Sequence, residues 1–413
     1  MSNEEKLVRM LKYVSEHNDF YKKRIKEYGI TNPLDITQWP VLTRKELQEN
    51  RYNMFSNGYK NKYYWQQLVR KSSSGSTGVP INVYWDYSDY YSSMKILWRM
   101  RKKFYDILPM DDQLTFSFVK KSEKTMPIHY INDPKNILNI DVETLLNDVL
   151  KDQLIGMINT FNPKWIYIRP SLLTLLLSLY KKENKRIISL KYIETYGELL
   201  PDNLRKDVSD FFGVPVANMY GSEEVNTIAY ECPFHNMHIL EDNVFVGCLE
   251  NGSFSQEGEG KLILTSLKNK AMPTISYDQG DRVTIEKLDQ PCKCGLRSAV
   301  IKKIHGRNIE MVEIDNETRI TPLVFLDIMA TVNNIFDSMI KCYKFVYSKK
   351  QRILTCYLEI NDEFSHWIPN IKKCIRELCE ENMKDKVFIT LEIIIKPLLD
   401  ITKGKNRIFE IIY

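Results

Sequence analysis

Hydrophobic residues recur at helical intervals from the first turn of the chain. Leu7, Leu11 and Val14 share one face, and Ser2 and Glu5 have the spacing of a capping box. The pattern predicts an N-terminal helix running toward Lys26 and broken before Gly29. Residues 30–50, with Pro33 and Pro40, read as a connector into a short helix over 43–50. A polar loop over 71–80 then precedes a strand over 81–85 and a helix over 86–103. From there short apolar runs at 113–119, 165–168 and 192–196 alternate with helical stretches near 144–160, 171–182 and 201–212, and a strand follows over 214–219. That rhythm predicts an α/β domain with a largely parallel sheet.

After residue 238 the pattern changes to strand-like segments over 238–246, 261–266, 274–277 and 282–286, separated by turns. They predict an antiparallel β subdomain, about 228–305. Beyond Gly306 a smaller α+β unit follows, with an amphipathic helix on Ile371, Cys374, Ile375 and Leu378 and a strand over 387–396. The expected domains are therefore 1–305 and 306–413.

Composition narrows the function classes. The chain has 413 residues, 43% hydrophobic and 27% charged, with a net charge of +5. That charge is too dilute to argue for nucleic acid. The most apolar stretch, 166–180, contains Arg169 and Pro170 and falls short of the roughly 20 residues a membrane span needs. The start is charged and amphipathic, without an apolar leader core, so a cytoplasmic protein with no membrane span is expected. Eight cysteines are too few for a disulfide scaffold. Cys248, Cys342, Cys356, Cys374 and Cys379 lie in apolar or periodic stretches and read as small buried hydrophobes.

Glycine is scarce, 16 in all, and half of the glycines fall in segments that could carry chemistry. Ser72-Ser73-Ser74-Gly75-Ser76-Thr77-Gly78 could wrap phosphate oxygens with backbone N–H groups and hydroxyls, although alone it is equally a surface turn. It lacks the Lys-Ser/Thr of the nucleotide P-loop. Tyr220-Gly221-Ser222-Glu223-Glu224 follows a predicted strand, where ligands of α/β sheets bind, and Glu224 is suited to Mg²⁺. In Tyr277-Asp278-Gln279-Gly280-Asp281 a carboxylate after a tight turn could take ribose hydroxyls. Gly306-Arg307 places a guanidinium at the domain boundary, and Lys403-Gly404-Lys405-Asn406-Arg407 is a basic stretch that alone reads as a solvated tail. Cys232, His235, His238, Cys292 and Cys294 are thiols and imidazoles of the type zinc prefers, though C-x-C is tighter than the common spacing.

In this order and spacing the five segments resemble the adenylate-forming superfamily, with its motifs SSGTTGKP, YGxTE, Y-x-x-GD, GR and a C-terminal GK. His17-Asn18-Asp19-Phe20-Tyr21 and Trp39-Pro40-Val41-Leu42-Thr43-Arg44-Lys45-Glu46-Leu47 are similar to the phenylacetate–coenzyme A ligase and CapK-like branch. The resemblance spans about residues 10–410. It implies a large N-terminal adenylation domain, with parallel sheets flanked by helices plus the β subdomain, and a small mobile α+β lid. The implied activity joins a small-molecule carboxylic acid to AMP, then passes the acyl group to coenzyme A or to the phosphopantetheine of an acyl carrier protein. Ser73, Ser74, Gly75, Ser76, Thr77 and Gly78 would hold the pyrophosphate end of ATP. Tyr220, Gly221 and Ser222, with Gly197 and Glu198, would lie by the adenine. Asp281 and Arg307 would take the ribose, Glu224 would bind Mg²⁺, and Lys405 would bridge carboxylate and α-phosphate. Branch members carry similar Cys…His and C-x-C-G segments, and His238 matches their histidine better than His235. Cys232, His238, Cys292 and Cys294 are thus expected to hold structural Zn²⁺. A homodimer is compatible with the resemblance but not fixed by it.

Three positions depart from the pattern. Val79 replaces a frequent lysine, Glu223 stands where Thr or Ser is usual, and Ile309-Glu310 replaces Asp-Asp after Arg307. They leave room for a non-catalytic nucleotide- or acyl-binding homologue, and the CapK-like resemblance leaves room for adenylation with amide or ester transfer in a polysaccharide or natural-product pathway.

Overall fold

The computed structural model describes residues 1–72, 82–117, 130–131, 136–145, 150–307, 312–313, 319–320, 325, 328–329, 332, 335–336, 339–348, 350–360, 362–382, 390–395 and 409–412. The chain divides into two compact units, Met1–Pro109 with Ala217–His305, and Met110–Val216 with Gly306–Tyr413.

The first unit begins with α1 (Asn3–His17) and α2 (Asp19–Glu27), not the single helix that periodicity predicts. Asn18 causes the break. Its extended backbone (φ −131°, ψ 112°) ends α1, and its side chain accepts from Tyr21 N–H to start α2. Then come α3 (Arg44–Glu49), α4 (Tyr59–Tyr64), the antiparallel hairpin β1 (Val69–Ser72) and β2 (Asn82–Trp85), and α5 (Tyr87–Tyr105). Thr43 and Glu46 close a capping box on α3, and Asp86 caps α5 by accepting from Ser88 N–H.

The second unit starts with β3 (Gln113–Ser117), β4 (Tyr130–Ile131), β5 (Ile137–Asp141), α6 (Val142–Leu145), α7 (Lys151–Phe161), β6 (Trp165–Ile168), α8 (Pro170–Lys182), β7 (Tyr192–Tyr196) and α9 (Asp202–Phe212). Strands β7, β6, β3 and β5 run parallel in that order, with β4 antiparallel at the edge. Leu114, Ile140, Ile166, Ile193 and the leucine stripe of α8 form its core. Pro170 at the first helical position and Lys181 and Lys182 in the last turn suit the two ends of α8.

The chain then returns to the first unit with β8 (Val216–Ser222), β9 (Asn226–Glu231), β10 (Met237–Ile239), β11 (Val244–Glu250), β12 (Ser253–Ser255), β13 (Gly258–Ser266), β14 (Tyr277–Glu286) and β15 (Val300–Arg307). Their order is β12-β11-β13-β14-β15-β10-β9-β8, with the antiparallel pairing expected. Three details differ from expectation. The predicted 238–246 strand is two, split where Asn243 N–H turns back to Leu240 O. The predicted 274–277 strand is a turn with Ser276 at φ +52°, so β14 starts only at Tyr277. Strand β8 runs past Met219 to Ser222, which puts Tyr220, Gly221 and Ser222 on a strand and the two glutamates in the turn.

The remainder of the second unit has β16 (Val312–Glu313), β17 (Arg319–Ile320), β18 (Ile340–Ser348), β19 (Ile353–Ile360), the predicted helix as α10 (Ile368–Asn382), β20 (Thr390–Ile395) and β21 (Phe409–Ile412). The order β20-β19-β18-β21 makes a mixed sheet packed on Phe345, Leu354, Ile371 and Ile375. Among the described residues no helix is long and apolar enough to cross a membrane.

Candidate functional site

Strands β8 and β14 carry the centre of the site in the first unit. Residues Tyr277, Gln279, Asp281, Val283 and Ile285 alternate onto the buried face of β14, as a period of two dictates. Three polar side chains thus stand where core residues would otherwise lie. Gly280 supplies the positive φ, +94°, that lets the strand bulge there, and its N–H bonds to Asp278 Oδ1 at 2.8 Å. Opposite, Gly221 lies in a register shift of the β8–β9 hairpin, where a Cβ would sit 2.6 Å from Asn226 O.

The bulge brings the two motifs together. The Tyr220 hydroxyl donates to Asp281 Oδ2 and accepts from Gln279 Nε2 at 2.8 Å. Gln279 Nε2 also donates to Asp281 Oδ2 at 2.6 Å. Tyr277 OH donates to Glu224 Oε1 at 2.9 Å, and Glu224 is only 3% exposed. Ser222 Oγ and Gln279 Oε1 are buried with no hydrogen-bond partner, a costly state that a polar ligand would relieve. The buried carboxylate of Glu224 is also the donor type that Mg²⁺ takes.

The hairpin that brackets the serine–glycine segment leads to the same turn. Trp85, at the end of β2, donates its indole N–H to Glu223 O at 3.3 Å. Ser73, Ser74, Gly75, Ser76, Thr77 and Gly78 themselves lie outside the described residues, as does Lys405. Arg307 ends β15, with its side chain outside the described set. In the second unit Gly197 follows β7 at φ +74°, while Glu198 gives both carboxylate oxygens to Ser171, accepting from its N–H at 2.9 Å and its hydroxyl at 3.0 Å. That carboxylate therefore caps α8.

The second constellation is the cysteine–histidine cluster. Ligand atoms of Cys232, His238, Cys292 and Cys294 all lie within 4.8 Å of one another. Cys232 Sγ and Cys292 Sγ are 3.8 Å apart, far beyond a disulfide bond, and Cys294 Sγ is 3.3 Å from His238 Nε2. Tetrahedral zinc at about 2.3 Å from sulfur and about 2.0 Å from nitrogen requires separations of roughly 3.8 and 3.5 Å. The donor set fits. His238 Nδ1 faces Ser298 O at 3.4 Å and Asn236 Nδ2 donates to Cys292 Sγ at 3.3 Å, the outer contacts that orient such ligands. Burial pushes the Cys232 thiol up to about 12 and holds His238 below the usual imidazole range. His235 stands apart at φ +60°, with Nδ1 3.5 Å from Glu231.

Tyr277, Gln279, Trp85, Asn236 and Ser298 were given no role by the sequence reading. Tyr277 and Gln279 lie inside a motif, and the alternation on β14 was the signal that could have found them.

No protein-family model matches the chain. The phenylacetate–coenzyme A ligase of Thermus thermophilus is 23% identical over 340 residues, covering 75% of this chain and 71% of that protein. Among solved structures, 2-hydroxyisobutyryl-CoA ligase in complex with 2-HIB-AMP has a TM-score of 0.75 at 16% identity, covering 98% of this chain and 88% of that one. The anthranilate CoA ligase AuaEII with anthranoyl-AMP has a TM-score of 0.55 at 15% identity, covering 82% and 65%. The chain shares their fold. The likeness to the first structure extends along nearly the whole sequence.

Proposed function

We propose that this protein is an acyl-adenylate-forming acid–thiol ligase that uses ATP and Mg²⁺. The observation that carries the reading is the joining of two separate motifs, through Tyr220, Gln279 and Asp281 and through Tyr277 and Glu224, into one buried polar cluster with unpaired acceptors. The fold and the distant relatives support it, since three of them are named as coenzyme A ligases.

In the first step a carboxylate oxygen attacks the α-phosphorus of ATP, the bond to the β-bridging oxygen breaks, and pyrophosphate leaves. In the second, a thiolate attacks the acyl carbon, the C–O bond to AMP breaks, and the thiol proton goes to solvent. Asp281, oriented by Tyr220 and Gln279, accepts from the ribose hydroxyls, with Arg307 beside them. Gly197, with Glu198 fixing the turn by capping α8, and Gly221 and Ser222 border the adenine. The residues Ser73, Ser74, Gly75, Ser76, Thr77 and Gly78 cradle the β- and γ-phosphates. Glu224 holds Mg²⁺, which neutralises phosphate charge when bound. Lys405, on a small domain over 306–413 that rotates against 1–305, bridges the carboxylate and α-phosphate, where charge develops. Cys232, His238, Cys292 and Cys294 hold a structural Zn²⁺. The substrate is an aromatic or small acid in the cytoplasm, with coenzyme A as acceptor in preference to a carrier protein.

Pyrophosphate–ATP exchange across a panel of acids tests the reading. Exchange is expected for at least one acid; a silent panel together with no ATP binding defeats it. Lys405→Ala should abolish exchange yet spare thioester formation from supplied acyl-adenylate, and equal loss in both steps would refute the role of that lysine.

A further inference from the structure

Residues 17–21 and 39–47 have no task in the chemistry above, yet both pack against the turn that leads into β14. Tyr21 is fully buried; its hydroxyl donates to Pro273 O at 2.8 Å and accepts from Ile275 N–H at 3.0 Å. Leu42 forms a parallel bridge with Tyr277: its N–H donates to Ser276 O at 2.8 Å, and its carbonyl accepts from Asp278 N–H at 3.0 Å. The segment carrying Leu42 is itself held, because buried Arg24 donates to the carbonyls of Pro40 and Val41 at 3.1 and 3.2 Å and pairs with Glu46.

Between these anchors lies Ser276 at φ +52°, a left-handed conformation disfavoured for any residue with a Cβ. Its N–H donates to Thr265 Oγ1 at 3.0 Å. Such a conformation persists only where the surroundings over-determine it. The consequence falls on the next residues. Because side chains alternate along a strand, a change of backbone at Ser276 turns Tyr277, Gln279 and Asp281 away from Tyr220 and Glu224.

We propose that Tyr21, with the Leu42 bridge, is a positioning residue for the nucleotide site: it holds Ser276 in its left-handed conformation and so fixes the face of β14 on which Tyr277, Gln279 and Asp281 lie. The inference rests on the reading that Asp281 takes the ribose hydroxyls. Its signature is ribose discrimination, which depends on the placement of Asp281 and not on the fraction of protein that is folded.

The test is calorimetric binding of ATP and 2′-deoxy-ATP to the full chain, to Tyr21→Phe and to Tyr180→Phe. The last variant removes another buried phenol, one that donates to Asn159 Oδ1 at 3.0 Å in the second unit. The parent protein should prefer ATP. Tyr21→Phe should weaken ATP binding about tenfold, the loss of one or two hydrogen bonds, and should reduce the preference severalfold. Tyr180→Phe should keep the preference. A Tyr21→Phe protein with the parental preference overturns the proposal, as does an equal reduction in Tyr180→Phe. A parent protein that does not distinguish the two nucleotides defeats the ribose reading instead.

Discussion

Cys292→Ser puts the proposed zinc site to a test that needs no knowledge of the substrate. Cys292 joins the 292–298 loop to β9 and β10 through Cys232 and His238, and Asn236 Nδ2 contacts its sulfur at 3.3 Å. A structural zinc contributes on the order of 10 kcal/mol to folding. The short S–S and S–N separations show that little rearrangement is needed to close the site, so most of that contribution is realised. Replacing one ligand of four, a thiolate, should therefore cost about 3 kcal/mol or more. For a body of roughly 150–250 residues, 1 kcal/mol moves Tm by about 2–4 °C, so a drop of about 6–12 °C is expected. Treating the parent with a strong chelator should lower Tm at least as far. Cys248→Ser is the control: Cys248 is also buried, but its thiol donates to Gly258 O at 3.3 Å, outside the cluster. That variant should still lose Tm on chelation, whereas Cys292→Ser should respond weakly. The assay is elemental analysis of protein purified under reducing conditions, followed by thermal melts with and without chelator. Protein carrying well under one zinc per chain, with a Tm indifferent to chelator, refutes the reasoning.

Other changes have defined outcomes. Gly221→Ala places a Cβ 2.6 Å from Asn226 O and 3.3 Å from Thr227 Cα, so it should cost about 1–3 kcal/mol in urea unfolding and weaken ATP binding; a neutral result would refute the close approach. Glu224→Gln should slow pyrophosphate exchange by about 10²- to 10³-fold and raise the Mg²⁺ needed, which a magnesium titration of the exchange rate checks. Burial pushes Glu46 up, but the Thr43 N–H, the Arg24 guanidinium and the Thr43 hydroxyl outweigh it and hold the carboxyl below its ordinary 4.5. The stability it contributes is therefore present above that value and is lost as pH falls through the lower folded one. Glu46→Gln should cost roughly 1–3 kcal/mol at pH 7 and nearly nothing in acid, by urea unfolding at both.

The α/β alternation of residues 113–216 was legible because each buried strand is a short apolar run and each helix has its own stripe and ends. The misses share a cause: a residue whose partner lies far along the chain. Asn18 breaks a periodicity that otherwise continues, and its amide is used by Met54 O and Ser56 Oγ. Asn243 turns the chain inside an apolar run because Ser93 O receives its side chain. Ser276 has strand-like neighbours, yet Leu42 and Thr265 hold it left-handed. At the site, motif order named Tyr220, Glu224 and Asp281, but not what each touches. The alternation on β14 puts Tyr277 and Gln279 on the face of Asp281, but their partners on β8 and in the turn after it appear only in the fold. The preference for His238 over His235 rested on the resemblance, and the fold gives it a physical ground. His238 is fully buried on β10 among sulfur atoms, whereas His235 sits in an exposed turn.

Glu223 is the departure that sequence left most open, since two adjacent acids could mean two metal ligands. Neighbouring residues in a tight turn project apart, and here Glu224 goes inward to Tyr277 while the Glu223 carbonyl is taken by Trp85. The Glu223 charge acts on Lys71, on the strand that enters the serine–glycine segment. Burial draws the Lys71 ammonium down, but the Tyr90 side chain and Glu223 outweigh it and hold it above its ordinary value. The ammonium also sits 4.9 Å from the centre of the Tyr90 ring. The additional negative charge is thus matched by a cation within the protein. Of the two acids, Glu224 is the one whose carboxylate the fold directs toward Tyr277 and the cluster of Tyr220 and Asp281, so the adjacent pair supplies that cluster with one carboxylate rather than two.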